Sequence, residues 1–146
     1  QHLAAEFLIR LTSDVNRQGI PAISLVQDSS TLTACINDYG PDDIFKRVLL
    51  TLGQAGDVLL AITTSGNSSN IIEALKSARK NNIYCIGFLG NAGGKALELL
   101  RSMKDCMGCV SPNNSQQWSM GDGKRDFANF DDKVDLIMGR KSIGAP

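Results

Sequence analysis

Five hydroxyl side chains lie in a short glycine-containing stretch between an apolar run and an amphipathic segment: Thr63, Thr64, Ser65, Ser68 and Ser69. The run over residues 57–62 predicts a buried strand, and apolar residues at helical spacing after residue 70 predict a helix. Hydroxyls and the free N–H groups of a helix start suit an anion, and the helix dipole favours negative charge there. Residues 63–68, the hydroxyl loop, are therefore a candidate phosphate site; the alternative is ordinary turn and capping chemistry.

The hydroxyl loop matches neither common nucleotide-binding fingerprint. A P-loop needs a lysine before its serine or threonine, and the Gly-x-Gly-x-x-Gly pattern of dinucleotide sites is absent from the sequence. We therefore expect a phosphate carried by a molecule smaller than a nucleotide.

Composition limits the other function classes. The 146-residue chain has 15 Lys and Arg against 15 Asp and Glu, so its formal net charge is zero and no basic field predicts direct nucleic-acid binding. Neither a membrane-spanning run nor a signal peptide is recognisable, so we expect a cytoplasmic protein without a membrane partner. Four scattered cysteines do not predict a disulfide framework, and Cys35 and Cys85 are predicted to be reduced core residues.

Predicted strands and helices alternate along the chain. The predicted strands cover residues 22–26, 57–62 and 83–89, and the predicted helices cover 2–11, 42–52, 70 to about 81 and 95 to about 103. This alternation predicts an α/β fold with a three-layer, doubly wound, mostly parallel sheet and helices on both faces. Ligands bind such sheets beyond the carboxyl ends of the strands, where residues 28–31 and 63–68 would lie.

Three motifs carry a resemblance to a known family: residues 1–7 (Gln-His-Leu-Ala-Ala-Glu-Phe), 37–40 (Asn-Asp-Tyr-Gly) and 63–68 (Thr-Thr-Ser-Gly-Asn-Ser). Over roughly the first hundred residues the chain resembles the sugar isomerase (SIS) domain, and within it the phosphoheptose isomerases. The resemblance implies a flavodoxin-like α/β fold. It also implies interconversion of sedoheptulose 7-phosphate and D-glycero-D-manno-heptose 7-phosphate, a step of lipopolysaccharide heptose biosynthesis.

The resemblance also implies roles for individual residues. Asn37 and Asp38 would line the sugar site. The sugar phosphate would be held by Thr63, Thr64, Ser65 and Ser68. Taken alone, an Asn-Asp-x-Gly string is typical of a turn, so the first two roles depend on the resemblance.

His2 and Glu6 are four residues apart and would project from one face of a helix. On spacing alone, such a pair is typical of a solvated surface. The resemblance implies instead that both bind zinc and that Glu6 is also the catalytic base, moving a proton between C1 and C2 through an enediolate. Zinc would polarise the sugar carbonyl.

The sequence departs from the family pattern at both ends. The family has a helix, a strand and a Gly-Asn-Gly-Gly-Ser-Ala loop before the segment that starts here at Gln1, and a later histidine, whereas His2 is the only histidine here. Gln116 is a weak stand-in for a family glutamine. We expect a SIS domain over residues 1–103, lacking the first helix and strand, and a divergent, loop-rich segment over 104–146. The Cys-x-x-Cys spacing at residues 106–109 lacks the second pair that a zinc site requires.

The sequence allows three function classes. The first is an aldose–ketose isomerase, assembled by resemblance as a homotetramer. The second is a catalytically inactive sugar-phosphate-binding or regulatory SIS module, including a replication-initiator-associating relative. The third is an inactive fragment that depends on other chains.

Overall fold

The computed structural model describes residues 1–10, 13–14, 16–26, 28–103, 106–110 and 119–120. Its helices are α1 (His2–Leu8), α2 (Ser29–Tyr39), α3 (Ile44–Leu52), α4 (Ser69–Lys80) and α5 (Gly94–Arg101), with short 3-10 turns at Pro41–Asp43 and Asn91–Gly93. Its strands are β1 (Val58–Thr63), β2 (Tyr84–Leu89), β3 (Met107–Val110) and β4 (Ser119–Met120). Within this described part, no helix has the length and apolar character needed to cross a membrane.

The four strands form one sheet in the order β1-β2-β3-β4. The first three are parallel, with Val58 opposite Tyr84 and Thr63 opposite Leu89, and β4 runs antiparallel to β3. Helices α4 and α5 are the crossovers between the parallel strands, and right-handed crossovers in this strand order place both helices on one face of the sheet. The predicted α/β class with a mostly parallel sheet is confirmed.

The core lies between the sheet and these two helices. Alternate residues of the strands, such as Leu59 and Cys85, are buried, and they pack with Leu75 of α4 and Leu100 of α5, which are at most 1% exposed. The opposite face of the sheet is more open, and Ile62 there is 53% exposed. The second helical layer expected on that face stays a prediction.

The predicted strand over residues 22–26 is wrong. These residues are irregular and end in a turn, and Ile23 and Val26 are 52% and 43% exposed. A strand needs a neighbour to accept its backbone hydrogen bonds, and none of the described strands pairs with this segment. Its apolar residues are typical of a strand, but no described strand accepts or donates the backbone hydrogen bonds of a ladder with it.

Helix α1 ends at Leu8 rather than at residue 11. The guanidinium of Arg17 donates hydrogen bonds to the carbonyl oxygens of Glu6 and Phe7, at 2.6 and 2.9 Å. These bonds satisfy acceptors that the end of the helix leaves without partners.

Part of the predicted loop-rich segment is a strand. Met107–Val110 forms β3 beside β2, although its four residues are too few to indicate a strand without knowledge of the neighbour. Gly108 allows close packing, since a Cβ there would lie 2.8 Å from Leu97 Cδ1. The division at residue 103 stays a prediction, and most of residues 104–146 lie outside the described part.

Candidate functional site

The hydroxyl loop joins β1 to α4, and Ser68 is the N-cap of that helix. Because α4 begins at Ser69, Asn70 lies inside the helix and forms no capping box with Glu73. The Asn70 side chain accepts from the N–H of Ile71 at 2.8 Å, and Glu73 pairs with Lys76 at 2.7 Å. The Ser68 hydroxyl makes no capping bond and is available to the loop.

Three of the predicted phosphate ligands meet at Ser68. Its Oγ lies 3.3 Å from Thr63 Oγ1 and 3.3 Å from Ser65 Oγ. Thr63 is only 6% exposed, whereas Ser65 and Ser68 face solvent. Thr64 is exposed and makes none of these contacts. The cluster lies where the first N–H groups of α4 lack partners within the helix, an arrangement that suits a phosphate.

A second loop is hydrogen-bonded to the backbone of the hydroxyl loop. This glycine turn, residues 90–94, donates from the N–H of Gly90 to the carbonyl of Thr63 at 2.9 Å, and Ala96 just beyond it donates to the carbonyl of Gly66 at 2.9 Å. Gly66 has φ +66°, and a Cβ on it would lie 2.3 Å from the carbonyl oxygen of Gly93. The two backbones are therefore too close for any side chain at residue 66. The predicted strand over residues 83–89 and the predicted helix from residue 95 leave residues 90–94 as a connection, but nothing in the local sequence predicts its contact with the hydroxyl loop.

Asn67 is a supporting residue that sequence reasoning misses. Its side-chain amide donates to the carbonyl of Ser65 at 2.9 Å, and its Oδ1 accepts from the N–H of Lys95 at 3.1 Å. Its own N–H donates to Ser65 Oγ at 3.1 Å. One side chain thus fixes the position of Ser65 and joins the loop to the start of α5.

An acidic group lies next to the helix start. The hydroxyl of Ser69 donates to the carboxylate of Asp42, which lies in the 3-10 turn before α3. A carboxylate at a helix N-terminus is favoured by the dipole, so Asp42 competes with a bound anion for the same positive potential. Nothing in the local sequence pairs these residues, which are 27 positions apart.

The proposed base and metal ligands lie on α1. His2 Nε2 is 3.3 Å from Glu6 Oε1, and the two side chains are 92% and 24% exposed. Two ligand atoms that are each about 2.0–2.1 Å from a tetrahedral zinc ion are about 3.4 Å apart, so this pair fits half of a zinc site. The same spacing also fits a simple hydrogen-bonded pair. Among the described residues, no group of three or more His, Cys, Asp or Glu could hold a metal ion.

The predicted sugar-site residues Asn37 and Asp38 lie near the end of α2, and both are exposed. The Asn37 amide donates to the Asp38 carboxylate at 3.3 Å. Within the described ranges, no hydrogen bond or ion pair joins this pair, the α1 pair and the hydroxyl cluster to one another. Gln116, the suggested family glutamine, lies outside the described residues.

Residues 28–31, expected at a strand end that could face a ligand, have another role. Asp28 is the N-cap of α2, and its carboxylate accepts from the hydroxyl of Thr31 and from the N–H groups of Ser30 and Thr31. These bonds, led by the one from the Thr31 hydroxyl, hold the pKa of Asp28 below its usual value. Its bonds therefore stabilise the start of α2.

The chain is similar to known proteins over most of its length. The SIS domain family matches residues 1–90. The phosphoheptose isomerase of Chlorobium phaeobacteroides is 45% identical over 114 residues, which are 78% of this chain and 48% of that protein. The phosphoheptose isomerase of Chlorobaculum parvum is 50% identical over 94 residues, which are 64% of this chain and 45% of that protein. The chain spans about half the length of these relatives.

Two solved structures share the fold. The phosphoheptose isomerase of Francisella tularensis superposes with a TM-score of 0.69 at 30% identity, over 95% of this chain and 65% of that one. That of Neisseria gonorrhoeae superposes with a TM-score of 0.59 at 35% identity, over 82% and 59%. Since the family match covers the hydroxyl loop and its flanking strand and helix, the chain belongs to the SIS domain family, in the group that contains the phosphoheptose isomerases.

Proposed function

We propose that this chain is the sugar-phosphate-binding part of a phosphoheptose isomerase that interconverts sedoheptulose 7-phosphate and D-glycero-D-manno-heptose 7-phosphate. The observation that carries the proposal is the convergence of Thr63, Ser65 and Ser68 hydroxyls at the start of α4. Hydroxyls and helix N–H groups bind a phosphate without a lysine or arginine. The choice of a heptose as the sugar is based on the relatives, which are named phosphoheptose isomerases. Thr64 would add its hydroxyl when the ligand is bound.

The proposed reaction moves one proton between neighbouring carbons of the sugar. The Glu6 carboxylate takes the proton from C2 of the aldose, and the carbonyl at C1 becomes part of an enediolate. The hydroxyl proton moves from O2 to O1, and Glu6 returns the carbon proton to C1, which leaves the carbonyl at C2 of the ketose. Its 24% exposure leaves the carboxylate accessible to a substrate. Asn37 and Asp38, which are also exposed, would bind sugar hydroxyls.

Zinc is a proposed cofactor at the α1 pair. The 3.3 Å separation of His2 Nε2 and Glu6 Oε1 supports it, and further ligands would have to come from outside the described residues. Zinc supplies Lewis-acid polarisation of a carbonyl when it is bound. Cytoplasmic location, a homotetrameric assembly and a place in lipopolysaccharide heptose biosynthesis are further expectations based on the family resemblance.

A second candidate is a sugar-phosphate-binding module without catalysis. It is favoured by the lack, among the described residues, of any hydrogen bond or ion pair from Glu6 or from the Asn37 and Asp38 pair to the hydroxyl cluster. Such a module would bind the same ligand through the same loop and would not turn it over.

One experiment separates the two candidates. Conversion of sedoheptulose 7-phosphate is measured with and without added zinc for the unmodified chain, Glu6→Gln, and Glu98→Gln as a control at an exposed position on α5. Turnover that is lost only in Glu6→Gln supports the isomerase. Calorimetric binding of the sugar phosphate by a folded chain without turnover supports the binding module.

The loop itself is tested by the same calorimetry. In a Ser65→Ala, Ser68→Ala double variant, affinity for the sugar phosphate should fall at least about 10-fold, since hydrogen bonds to a charged group are worth about 1.5–3 kcal/mol each. Unchanged affinity would remove the basis of both candidates.

The zinc site is tested by the metal content of the purified protein, which should be lower in His2→Ala than in the unmodified chain. Equal zinc content in the variant and the unmodified chain would place any zinc elsewhere.

A further inference from the structure

Two cysteines that the proposed function does not use lie side by side in the sheet. Ile86 of β2 is opposite Met107 of β3, so Cys85 and Cys106, one residue earlier in each segment, face each other. The N–H of Cys85 donates to Cys106 Sγ at 3.2 Å. Neighbouring strands are about 4.8 Å apart. That spacing lies inside the range of about 4.4–6.8 Å between the Cα atoms of a disulfide.

The two thiols differ in their access to solvent. Cys85 is 1% exposed and belongs to the core, whereas Cys106 is half-buried. Burial, together with the neighbouring Cys106, raises the pKa of the Cys85 thiol well above its usual range. An oxidant from solvent therefore reaches Cys106 first, and Cys85 is the protected partner beside it.

The neighbouring Cys-x-x-Cys spacing cannot form the same bond while the strand is intact. Cys109 lies in β3, three residues after Cys106, and three residues of extended chain span about 10 Å. A disulfide does not bridge Cα atoms more than about 7 Å apart. The partner of Cys106 is thus across the sheet rather than along the strand.

We propose that Cys85 and Cys106 form a redox-active dithiol that closes to a disulfide when a peroxide oxidises it. The Cys106 sulfur attacks the peroxide O–O bond and becomes a sulfenic acid, and one water leaves. The Cys85 sulfur then forms the S–S bond, and the sulfenic hydroxyl leaves with the Cys85 proton as a second water. The two sulfurs lose two electrons and the peroxide gains them. This site does not depend on the proposed isomerase function.

The bond would lie at the end of the sheet away from the hydroxyl loop. Cys85 is the second residue of β2, whereas Leu89 at the other end of β2 pairs with Thr63. Oxidation is therefore expected to leave sugar-phosphate affinity unchanged within about twofold. The disulfide would join β2 to the segment before β3 and would close a covalent loop that contains α5.

The test uses the full chain, reduced, freed of reductant and treated with hydrogen peroxide. Trypsin digestion without reduction should give peptide 81–95 joined to peptide 105–124, and dithiothreitol should separate them. The intact denatured protein should keep the mass of one chain less two hydrogens. The link should persist in Cys109→Ser and in Cys35→Ser, and it should be absent from Cys106→Ser.

Three results would overturn the proposal. One is a bond within peptide 105–124, which would join Cys106 to Cys109. Another is a bond between two chains. The third is oxidation of Cys106 to a sulfinic acid while peptide 81–95 keeps a free thiol. Because the link is measured in the unmodified chain, the outcome does not depend on whether the Cys106→Ser variant folds.

Discussion

The hydroxyl loop is held by backbone contacts from the glycine turn and by the side chain of Asn67, whereas His2 and Glu6 lie on a seven-residue helix with no buried residue. The loop joins two elements of the core, β1 and α4. Helix α1 is connected to the next segment of the chain mainly through Arg17 and the N–H of Ile20, which bond to its last carbonyls.

We infer a division of labour between the two regions, in which the hydroxyl loop binds the phosphate and α1 carries the chemistry. A loop whose hydroxyls are already in contact loses little conformational entropy when it binds phosphate. The His2 and Glu6 side chains contact each other but have no such support from another loop among the described residues, so we expect them to lose more conformational entropy on binding a ligand. Substitutions in the loop should therefore cost stability and affinity together, and those in α1 should change chemistry alone.

Gly66→Ala should have the largest effect. Its φ of +66° already disfavours a side chain, and the new Cβ would lie 2.3 Å from the carbonyl oxygen of Gly93. The left-handed conformation costs about 1–2 kcal/mol, and the clash should bring the loss of unfolding free energy to about 3 kcal/mol or more. Urea unfolding measures the loss, and phosphate binding should disappear.

Gly56→Ala is the matched control for that substitution. Gly56 also has positive φ, at +94°, but nothing lies within 4 Å of the position of its Cβ. Gly56→Ala should lose only the unfolding free energy that the left-handed conformation costs, without the contribution of a clash. Its phosphate affinity should be unchanged. Equal losses in the two variants would mean that the contact between the two loops contributes nothing.

Ser68→Ala should have the next largest effect. It removes the hydroxyl that lies between Thr63 and Ser65 and leaves the nearly buried Thr63 hydroxyl without this partner. We expect a loss of about 1.5–3 kcal/mol in the free energy of phosphate binding, or roughly 10- to 150-fold in Kd by calorimetry. Thr51→Ala, which deletes an exposed hydroxyl on α3, is the control and should bind normally. A Ser68→Ala protein with the Kd of this control would rule out a central role for the hydroxyl.

The parts of this arrangement that sequence predicts are those set by local pattern. Apolar periodicity predicts the strand, loop and helix over residues 57–80 to within one or two residues. It misassigns the segment 22–26 and Met107–Val110, because strand formation depends on a neighbour far away in sequence. The role of Asn67 is not visible in the local sequence for the same reason, since its bond to the N–H of Lys95 spans 28 positions. The roles of Glu6, Asn37 and Asp38 stay predictions.

Asn67→Ala should weaken binding less than Ser68→Ala, because it removes support and not a cluster hydroxyl. It breaks the bonds to the Ser65 carbonyl and the Lys95 N–H, each worth about 0.5–1.5 kcal/mol. We expect Kd for the sugar phosphate to rise about 5- to 10-fold. Asn81→Ala, which breaks one similar bond at the far end of α4, is the control. Equal Kd values in the two variants would contradict the supporting role.

Asp28 tests whether the start of α2 is stabilised by the capping bonds to its carboxylate. Because its pKa is lowered in the folded state, its contribution to stability is present above its unfolded pKa and is lost as pH falls through the folded value, below 3.8. Asp28→Asn should therefore flatten the pH dependence of Tm between about pH 5 and about pH 3. A profile that matches the unmodified chain would show that the cap does not contribute.

His2→Ala should have the smallest effect on stability and thereby sharpens the contrast with the loop. The imidazole is 92% exposed and its one ion pair, with Glu6, is an i, i+4 contact on a helix surface, worth about 0.5 kcal/mol or less. Urea unfolding should resemble that of Lys76→Ala, which removes a comparable surface pair with Glu73. Phosphate affinity should also be unchanged, because no hydrogen bond or ion pair among the described residues joins the hydroxyl cluster to His2. A loss above about 1 kcal/mol would mean that α1 is held as firmly as the loop, and the division of labour between the two regions would fail.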